Sequence, residues 1–74
     1  MTIEMLEKKY PTGTHVKYTG EYPIYGVGII QVEKGDIGTV IGVNCNGDLR
    51  VSWENGSFVS LTPGQHHFSV LYTH

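Results

Sequence analysis

The chain contains a single cysteine, Cys45, among its 74 residues. One cysteine cannot form a disulfide within the chain, and structural zinc sites that need several cysteine ligands are excluded. The first ten residues, MTIEMLEKKY, are too short and too charged for a signal peptide, and no apolar run has the length of a membrane span. We therefore expect a cytoplasmic protein that does not enter a membrane.

Basic residues are also scarce. The chain has five Lys and Arg against seven Asp and Glu, which gives a net charge of −2. Nucleic-acid-binding proteins usually carry a basic patch that releases counterions from phosphates. Here the basic residues are scattered, apart from Lys8 and Lys9, so the charge pattern disfavours binding to nucleic acid.

What the sequence does contain is glycine and aromatic residues, with ten Gly, five Tyr, two Phe and one Trp. This composition is typical of short strands joined by tight turns. A length of 74 residues corresponds to one domain, and so small a domain has little room for a deep active-site cavity. We expect its functional surface to be a shallow groove between loops.

The first eleven residues have the pattern of a short helix. Ile3 and Leu6 are spaced to lie on one helical face, Thr2 can cap the helix, and Pro11 ends it. A helix this short is marginal in isolation. Residues 1–11 are therefore predicted to pack as a short helix on the rest of the domain.

From Thr14 onward, apolar and polar residues alternate with a period of two, which is typical of half-buried strands. The alternation predicts five strands, at about residues 14–19, 38–44, 49–54, 57–61 and 68–72. A long loop separates the first two strands, and loops of this length in small domains are commonly functional.

Three shorter connections follow along the chain. Residues 45–48 form a short turn, Asn55-Gly56 predicts a two-residue type I′ hairpin turn, and Thr62–Gln65 predicts a one-turn helix. A long first loop, a tight hairpin and a one-turn helix before the last strand are together typical of a five-stranded SH3-like barrel. We assign residues 12–74 to this barrel; an OB-like barrel is the alternative.

Four segments carry a resemblance to known proteins: YPTGTHV, KGDIGTVIGV, VSWENGS and LTPGQHHFSVL. They resemble an uncharacterised family of small bacterial and phage proteins, and they look similar to translation-factor KOW segments and other SH3-like modules. The shared positions are Tyr10, Pro11, Gly13, Val16, Gly35, Gly38, Val40, Trp53, Asn55, Gly56, Ser57, Pro63, Gly64 and Phe68. The resemblance implies the product of a phage or mobile element, but fold-level likeness does not fix a function.

Aromatic residues of the long loop are the first candidates for binding. Tyr22 and Tyr25 lie in the loop and Tyr18 directly precedes it, and tyrosine offers a rigid, amphipathic contact surface. Trp53 shares a strand face with Leu49 and Val51, so we expect it to pack in the core.

Further candidates lie in the later loops and strands. Phe58 falls on the opposite strand face from the core and suits a partner interface. Asn46 and His66 lie in the two loops expected to border the groove. His66 and His67 have no cysteine or carboxylate close in sequence, so we predict no metal site.

No catalytic set or phosphate-binding motif is recognisable, so we expect no enzymatic activity and no cofactor. The leading hypothesis is a protein-binding module, monomeric or a small homo-oligomer. It would bind a host protein through the long loop, the Asn44–Asp48 turn and the Thr62–His67 segment. One alternative is binding of RNA or single-stranded nucleic acid through the aromatic residues. Another is an oligomer that holds a small ligand at its subunit interface.

Overall fold

The computed structural model describes residues 2–26 and 28–71. One helix precedes six strands: α1 (Ile3–Lys9), β1 (His15–Tyr18), β2 (Ile24–Gly26), β3 (Ile29–Val32), β4 (Ile37–Val43), β5 (Leu49–Trp53) and β6 (Phe68–Leu71). Four strands form an antiparallel sheet in the order β5-β4-β1-β6, while β2 and β3 form a separate hairpin. The small all-β class predicted from the alternating pattern is confirmed.

The two sheets, however, are not closed into the predicted five-stranded barrel. Residues 57–61, predicted as the fourth strand, form only isolated bridges, Ser52 with Phe58 and Leu49 with Leu61. The Leu49–Leu61 bridge has both backbone hydrogen bonds, at 2.8 and 2.9 Å. Alternation correctly predicted which side chains of this segment face the core. It could not show that backbone pairing along the segment is reduced to two points.

The segment predicted as a one-turn helix forms a hydrogen-bonded turn. In this turn, the backbone N–H groups of Gln65 and His66 both donate to the carbonyl oxygen of Thr62. The strand after it begins at Phe68, as predicted. Tyr72, the predicted end of that strand, and His74 lie outside the described residues.

The core lies on one face of the four-stranded sheet. Its buried members share the inward positions of the alternating pattern: Val16, Tyr18, Val32, Val40, Leu49, Val51, Trp53 and Leu61. Trp53 is 3% exposed, and its indole Nε1–H donates to the carbonyl oxygen of Val59 at 3.0 Å. The prediction that Trp53 packs in the core is confirmed, and its one polar group has a partner.

Helix α1 begins where the sequence predicted. The Thr2 hydroxyl accepts the backbone N–H of Met5 at 3.2 Å, Leu6 is the buried residue of the helix, and the helix lies against β4. At the other end, Lys8 and Lys9 occupy the last turn, where the helix dipole favours cations. No helix in the described part of the chain is long and apolar enough to cross a membrane.

The turn at Asn55-Gly56 joins β5 to the segment that follows it. Trp53 accepts the N–H of Gly56 at 3.0 Å and donates its own N–H to Ser57 at 2.9 Å, and Gly56 has a φ of +92°. This pattern is a three-residue loop that ends in a left-handed glycine, so the predicted two-residue type I′ turn is wrong. Asn55 instead uses its side chain, which accepts the Ser57 N–H at 2.9 Å.

Candidate binding groove

The predicted long loop is wrong in part, because it contains β2 and β3; the name long loop is kept here for residues 19–23, which join β1 to β2. This loop is fixed to the core where it leaves β1. The Tyr18 hydroxyl donates to the carbonyl oxygen of Tyr22 at 2.6 Å, and the ring of Tyr18 is only 5% exposed. Gly20 is buried beside that ring, and a Cβ at this position would collide with the Tyr18 hydroxyl. A second link joins the Thr19 N–H to the carbonyl oxygen of His67 at 2.9 Å. The start of the loop is therefore held in one position.

The Thr62–His67 turn faces this loop and has its own network of hydrogen bonds. The backbone N–H of Thr62 donates to Nδ1 of His66 at 2.9 Å, and the Thr62 hydroxyl donates to Oδ1 of Asp48 at 2.8 Å. Because Nδ1 of His66 accepts a hydrogen bond, the neutral ring carries its proton on Nε2. The His66 ring is thus oriented from within the turn, and its Nε2–H remains a donor.

An open groove of about 380 Å³ runs between the loop and the turn. It is lined by Tyr18, Gly20, Glu21, Tyr22, Pro23, Ile24, Gln65, His66 and His67. The lining includes one carboxylate, from Glu21, and neither lysine nor arginine. It thus combines apolar and aromatic surface with one negative charge and two imidazoles.

The Asn44–Asp48 turn lies at a second groove, on the other side of the Thr62–His67 segment. The Asn44 side-chain oxygen accepts the N–H groups of Asn46 and Asp48, both at 3.0 Å, which closes the turn. This second groove, of about 420 Å³, is lined by Leu6, Lys9, Tyr10, Asn46, Gly47, Pro63 and Gly64. The three segments predicted to share one groove therefore border two, and helix α1 forms a wall of the second.

A family model described as a domain of unknown function, DUF4314, matches residues 1–71. The chain belongs to the DUF4314 family. No curated protein matches the chain, and no solved structure matches it either. The predicted resemblance to an uncharacterised family is confirmed, and the match includes both walls of each groove.

The structure of this DUF4314 domain brings together three of the six predicted site residues. Tyr18, Tyr22 and His66 line the first groove, although the burial of Tyr18 suits it to supporting the loop. Asn46 lines the second groove. The binding role of each residue stays a prediction.

The other two predicted residues lie outside both grooves. Tyr25 is 64% exposed and lies on β2, and Phe58 is 75% exposed and pairs with Ser52 at the β5 side of the four-stranded sheet. Neither side chain contributes to the lining of the groove next to the long loop. Both are solvent-facing apolar surfaces.

The sequence interpretation assigned the long loop and the Thr62–His67 segment to the groove, but it did not name Glu21, Pro23 or His67 as site residues. Glu21 and Pro23 directly flank Tyr22, so their position in the loop was the available signal. His67 was recognised, but its nearness to the long loop depends on the pairing of β1 with β6, which runs from His15–Leu71 to Tyr18–Phe68.

In the described part of the DUF4314 domain, the cysteine and the possible metal-binding side chains are not clustered. Cys45 is exposed in the Asn44–Asp48 turn, and neither groove includes it among its lining residues. Within residues 2–26 and 28–71, no group of three or more His, Cys, Asp or Glu side chains is arranged to hold a metal ion. The two grooves offer contact surfaces and hydrogen-bond donors.

Proposed function

We propose that this DUF4314 domain is a non-enzymatic binding module that holds an extended segment of a partner protein in the groove beside the long loop. The observation that carries the proposal is the fixation of both groove walls. Tyr18 holds the loop wall through Tyr22, and Thr62 holds the opposite wall through His66 and Asp48. A surface ordered before binding loses less conformational entropy when a partner docks.

The groove lining defines the chemistry of the partner segment. Tyr22, which is 80% exposed, offers a rigid ring for an apolar side chain, and Pro23 and Ile24 extend this surface. Glu21 provides the only carboxylate group of the lining, so the partner should place a Lys or Arg against it. The Nε2–H of His66 can donate to a backbone carbonyl of the partner.

A phage or mobile-element setting, with a host protein as the partner in the cytoplasm, belongs to this proposal. It is supported by the resemblance of the sequence to small bacterial and phage proteins. The chemistry of the groove supports protein binding independently of that setting.

A displayed library of random peptides tests the proposal without knowledge of the partner. We expect enriched peptides to share apolar residues next to a Lys or Arg. In two-dimensional NMR spectra, the strongest peptide should shift the amide resonances of residues 19–22, 24 and 65–67. No enrichment, or shifts confined to another surface, would overturn the proposal.

Three variants make the test specific to the groove. Tyr22→Ala should weaken peptide binding by about tenfold or more, because a central aromatic contact is lost. Glu21→Gln should weaken binding less at high salt than at low salt, since the lost interaction is electrostatic. Phe58→Ala is the matched control, because it removes an equally exposed aromatic ring outside the groove. Equal loss in the control would place the interface on the sheet instead.

Retention on heparin separates the nucleic-acid alternative from this proposal. Protein binding through an acidic groove predicts no retention at physiological salt. Retention that is lost steeply with salt, together with RNA binding that Tyr22→Ala weakens, would favour the nucleic-acid function and contradict a protein-binding groove.

A further inference from the structure

The chain contains two Asn-Gly pairs, Asn46-Gly47 and Asn55-Gly56, and each lies in a turn. Such pairs are especially prone to spontaneous deamidation, because glycine has no Cβ to hinder attack by its backbone nitrogen on the preceding side-chain amide. Both asparagines are exposed, and both glycines donate their N–H to a backbone carbonyl oxygen, at 3.1 Å for Gly47 and 3.0 Å for Gly56. Access to water and the state of the attacking nitrogen therefore do not distinguish the two pairs.

The side-chain amide of Asn55 is held at both of its ends. Its Nδ2 donates to the carbonyl oxygen of Gln31 at 2.7 Å and lies 3.2 Å from Oδ2 of Asp36, while its Oδ1 accepts the N–H of Ser57 at 2.9 Å. Deamidation requires the amide carbon to turn towards the nitrogen of Gly56 in a near-attack geometry. This rotation would break the hydrogen bonds of the amide, so the fold protects Asn55.

The side chain of Asn46 has no such restraint. Only its backbone N–H is engaged, as a donor to the side-chain oxygen of Asn44 at 3.0 Å. In residues 2–26 and 28–71, no hydrogen bond holds the side-chain amide of Asn46 itself. Its amide carbon can therefore rotate to meet the nitrogen of Gly47 without the loss of a side-chain contact.

We propose that Asn46 is a site of spontaneous deamidation in the folded domain and that Asn55 is its protected counterpart. The backbone nitrogen of Gly47 loses its proton to solvent and bonds to Cγ of Asn46, and Nδ2 leaves as ammonia with a proton from solvent. The product is a five-membered succinimide. Water then opens the ring at either carbonyl carbon and gives aspartate or isoaspartate. The sum is one water consumed and one ammonia released, with no oxidation or reduction.

Either product changes the charge of the second groove. Asn46 lines this groove together with Lys9, so deamidation adds a carboxylate to a lining that contains an ammonium group. The net charge of −2 becomes more negative by one. The inference does not depend on what either groove binds.

Isoaspartate also lengthens the main chain by a methylene group inside the Asn44–Asp48 turn. The N–H of Asp48 donates to the side chain of Asn44 at 3.0 Å, and Oδ1 of Asp48 accepts the hydroxyl of Thr62 at 2.8 Å. A longer main chain at position 46 displaces Asp48 from these partners. The isoaspartate form should therefore unfold at a lower temperature than the fresh protein.

Incubation of the full chain for days at about pH 8, in buffer and in concentrated urea, tests the inference. A reducing agent keeps Cys45 as a thiol, and peptide mass spectrometry follows each asparagine separately. In the folded chain, we expect Asn46 to deamidate about tenfold or more faster than Asn55, since only Asn55 must break side-chain hydrogen bonds. In urea the two rates should become similar, because neither side chain is held.

Three results would overturn the inference. They are equal rates at Asn46 and Asn55 in the folded chain, no reaction at Asn46 in the folded chain, and a contrast that persists in urea. Asn46→Gln is the control variant, because its longer side chain cannot close the five-membered ring, and it should lose the fast reaction.

A second control separates charge from main-chain length. Asn46→Asp adds the carboxylate without the extra methylene group, so it should melt close to the wild-type temperature, below which the isoaspartate form should melt. Equal melting temperatures for the isoaspartate form and Asn46→Asp would contradict the displacement of Asp48.

Discussion

The hydroxyl of Tyr18 donates a 2.6 Å hydrogen bond to the backbone carbonyl oxygen of Tyr22, four residues along the chain. This bond connects a core side chain to the most exposed aromatic residue among the described residues, since Tyr18 is 5% and Tyr22 80% exposed. The core therefore sets the backbone position of Tyr22, the main contact residue of the proposed binding groove. One hydroxyl group links the buried core to this proposed binding surface.

Removal of this hydroxyl should affect both stability and binding. Tyr18→Phe keeps the packed ring but loses the hydrogen bond, so we expect a loss of about 0.5–1.5 kcal/mol in the free energy of unfolding. Peptide affinity should fall as well, because the loop wall is no longer fixed. Urea denaturation and peptide titration measure the two effects. Tyr25→Phe, which removes an exposed hydroxyl, should change neither; an equal loss in that variant would contradict the role of the Tyr18 bond.

Two glycines on β4 should respond in opposite ways to alanine. A Cβ at Gly38 would lie 2.5 Å from Cγ1 of Val51 and 2.9 Å from Cε3 of Trp53, whereas a Cβ at Gly42 meets nothing within 4 Å. Gly38→Ala should therefore destabilise the domain by about 1–3 kcal/mol through overpacking. Gly42→Ala should be neutral or stabilise it by up to about 1 kcal/mol, because the unfolded chain loses freedom. Thermal unfolding of both variants checks the contrast, and equal effects would contradict the packing around Gly38.

Replacement of Trp53 tests the polar part of the core. Trp53→Phe removes the Nε1–H that donates to Val59 and leaves both an unpaired carbonyl oxygen and a smaller ring. We expect a loss of about 2–4 kcal/mol in the free energy of unfolding. Urea denaturation followed by circular dichroism measures it. Phe58→Leu, at an exposed aromatic position, should stay within about 0.5 kcal/mol of wild type. A loss of less than about 0.5 kcal/mol in Trp53→Phe would show that the hydrogen bond from the Trp53 indole to Val59 contributes little to stability.

The Thr62–Asp48 hydrogen bond should stabilise the wall between the two grooves. Thr62→Val keeps the shape of the side chain but removes the hydroxyl that donates to Oδ1 of Asp48 at 2.8 Å. We expect a loss of about 1–2 kcal/mol, since the acceptor is a carboxylate. Thr62→Ser retains the donor and should recover most of the stability, and Thr12→Val, at an exposed threonine, is the control. If Thr62→Ser were as unstable as Thr62→Val, loss of the hydroxyl would not be the cause of the lower stability.

The sequence predicted those parts of the fold that depend on local patterning. Thr2 and Leu6 predicted the position of α1, and the alternation around Val16, Val51 and Trp53 predicted which strand faces are buried. These features depend on the period of apolar residues and on capping chemistry, which neighbouring residues determine. For the same reason, the exposure of Phe58 could be predicted.

Features that depend on distant contacts could not be predicted from local patterns. The groove exists because β6 pairs with β1 and brings His67 next to Thr19, and no local signal specifies that register. The type of the Asn55-Gly56 turn was missed because the Asn55 side chain contacts Gln31, which is 24 residues away. Chain closure into a barrel likewise depends on pairing along residues 57–61, where alternation specifies the face but not the number of hydrogen bonds.

In the described part of the chain, β2 and β3 hydrogen-bond to each other and to no other strand. Elements with few shared hydrogen bonds open independently of the rest of a protein and at lower free energy. Amide protons of Tyr25 and Ile30 should thus exchange with deuterium sooner than those of Val40 and Val51 in the larger sheet. The domain then has two levels of local stability. The four strands around Trp53 form a slow-exchanging platform, and the outer part of the hairpin, beyond the buried Val32, opens more readily while that platform stays intact.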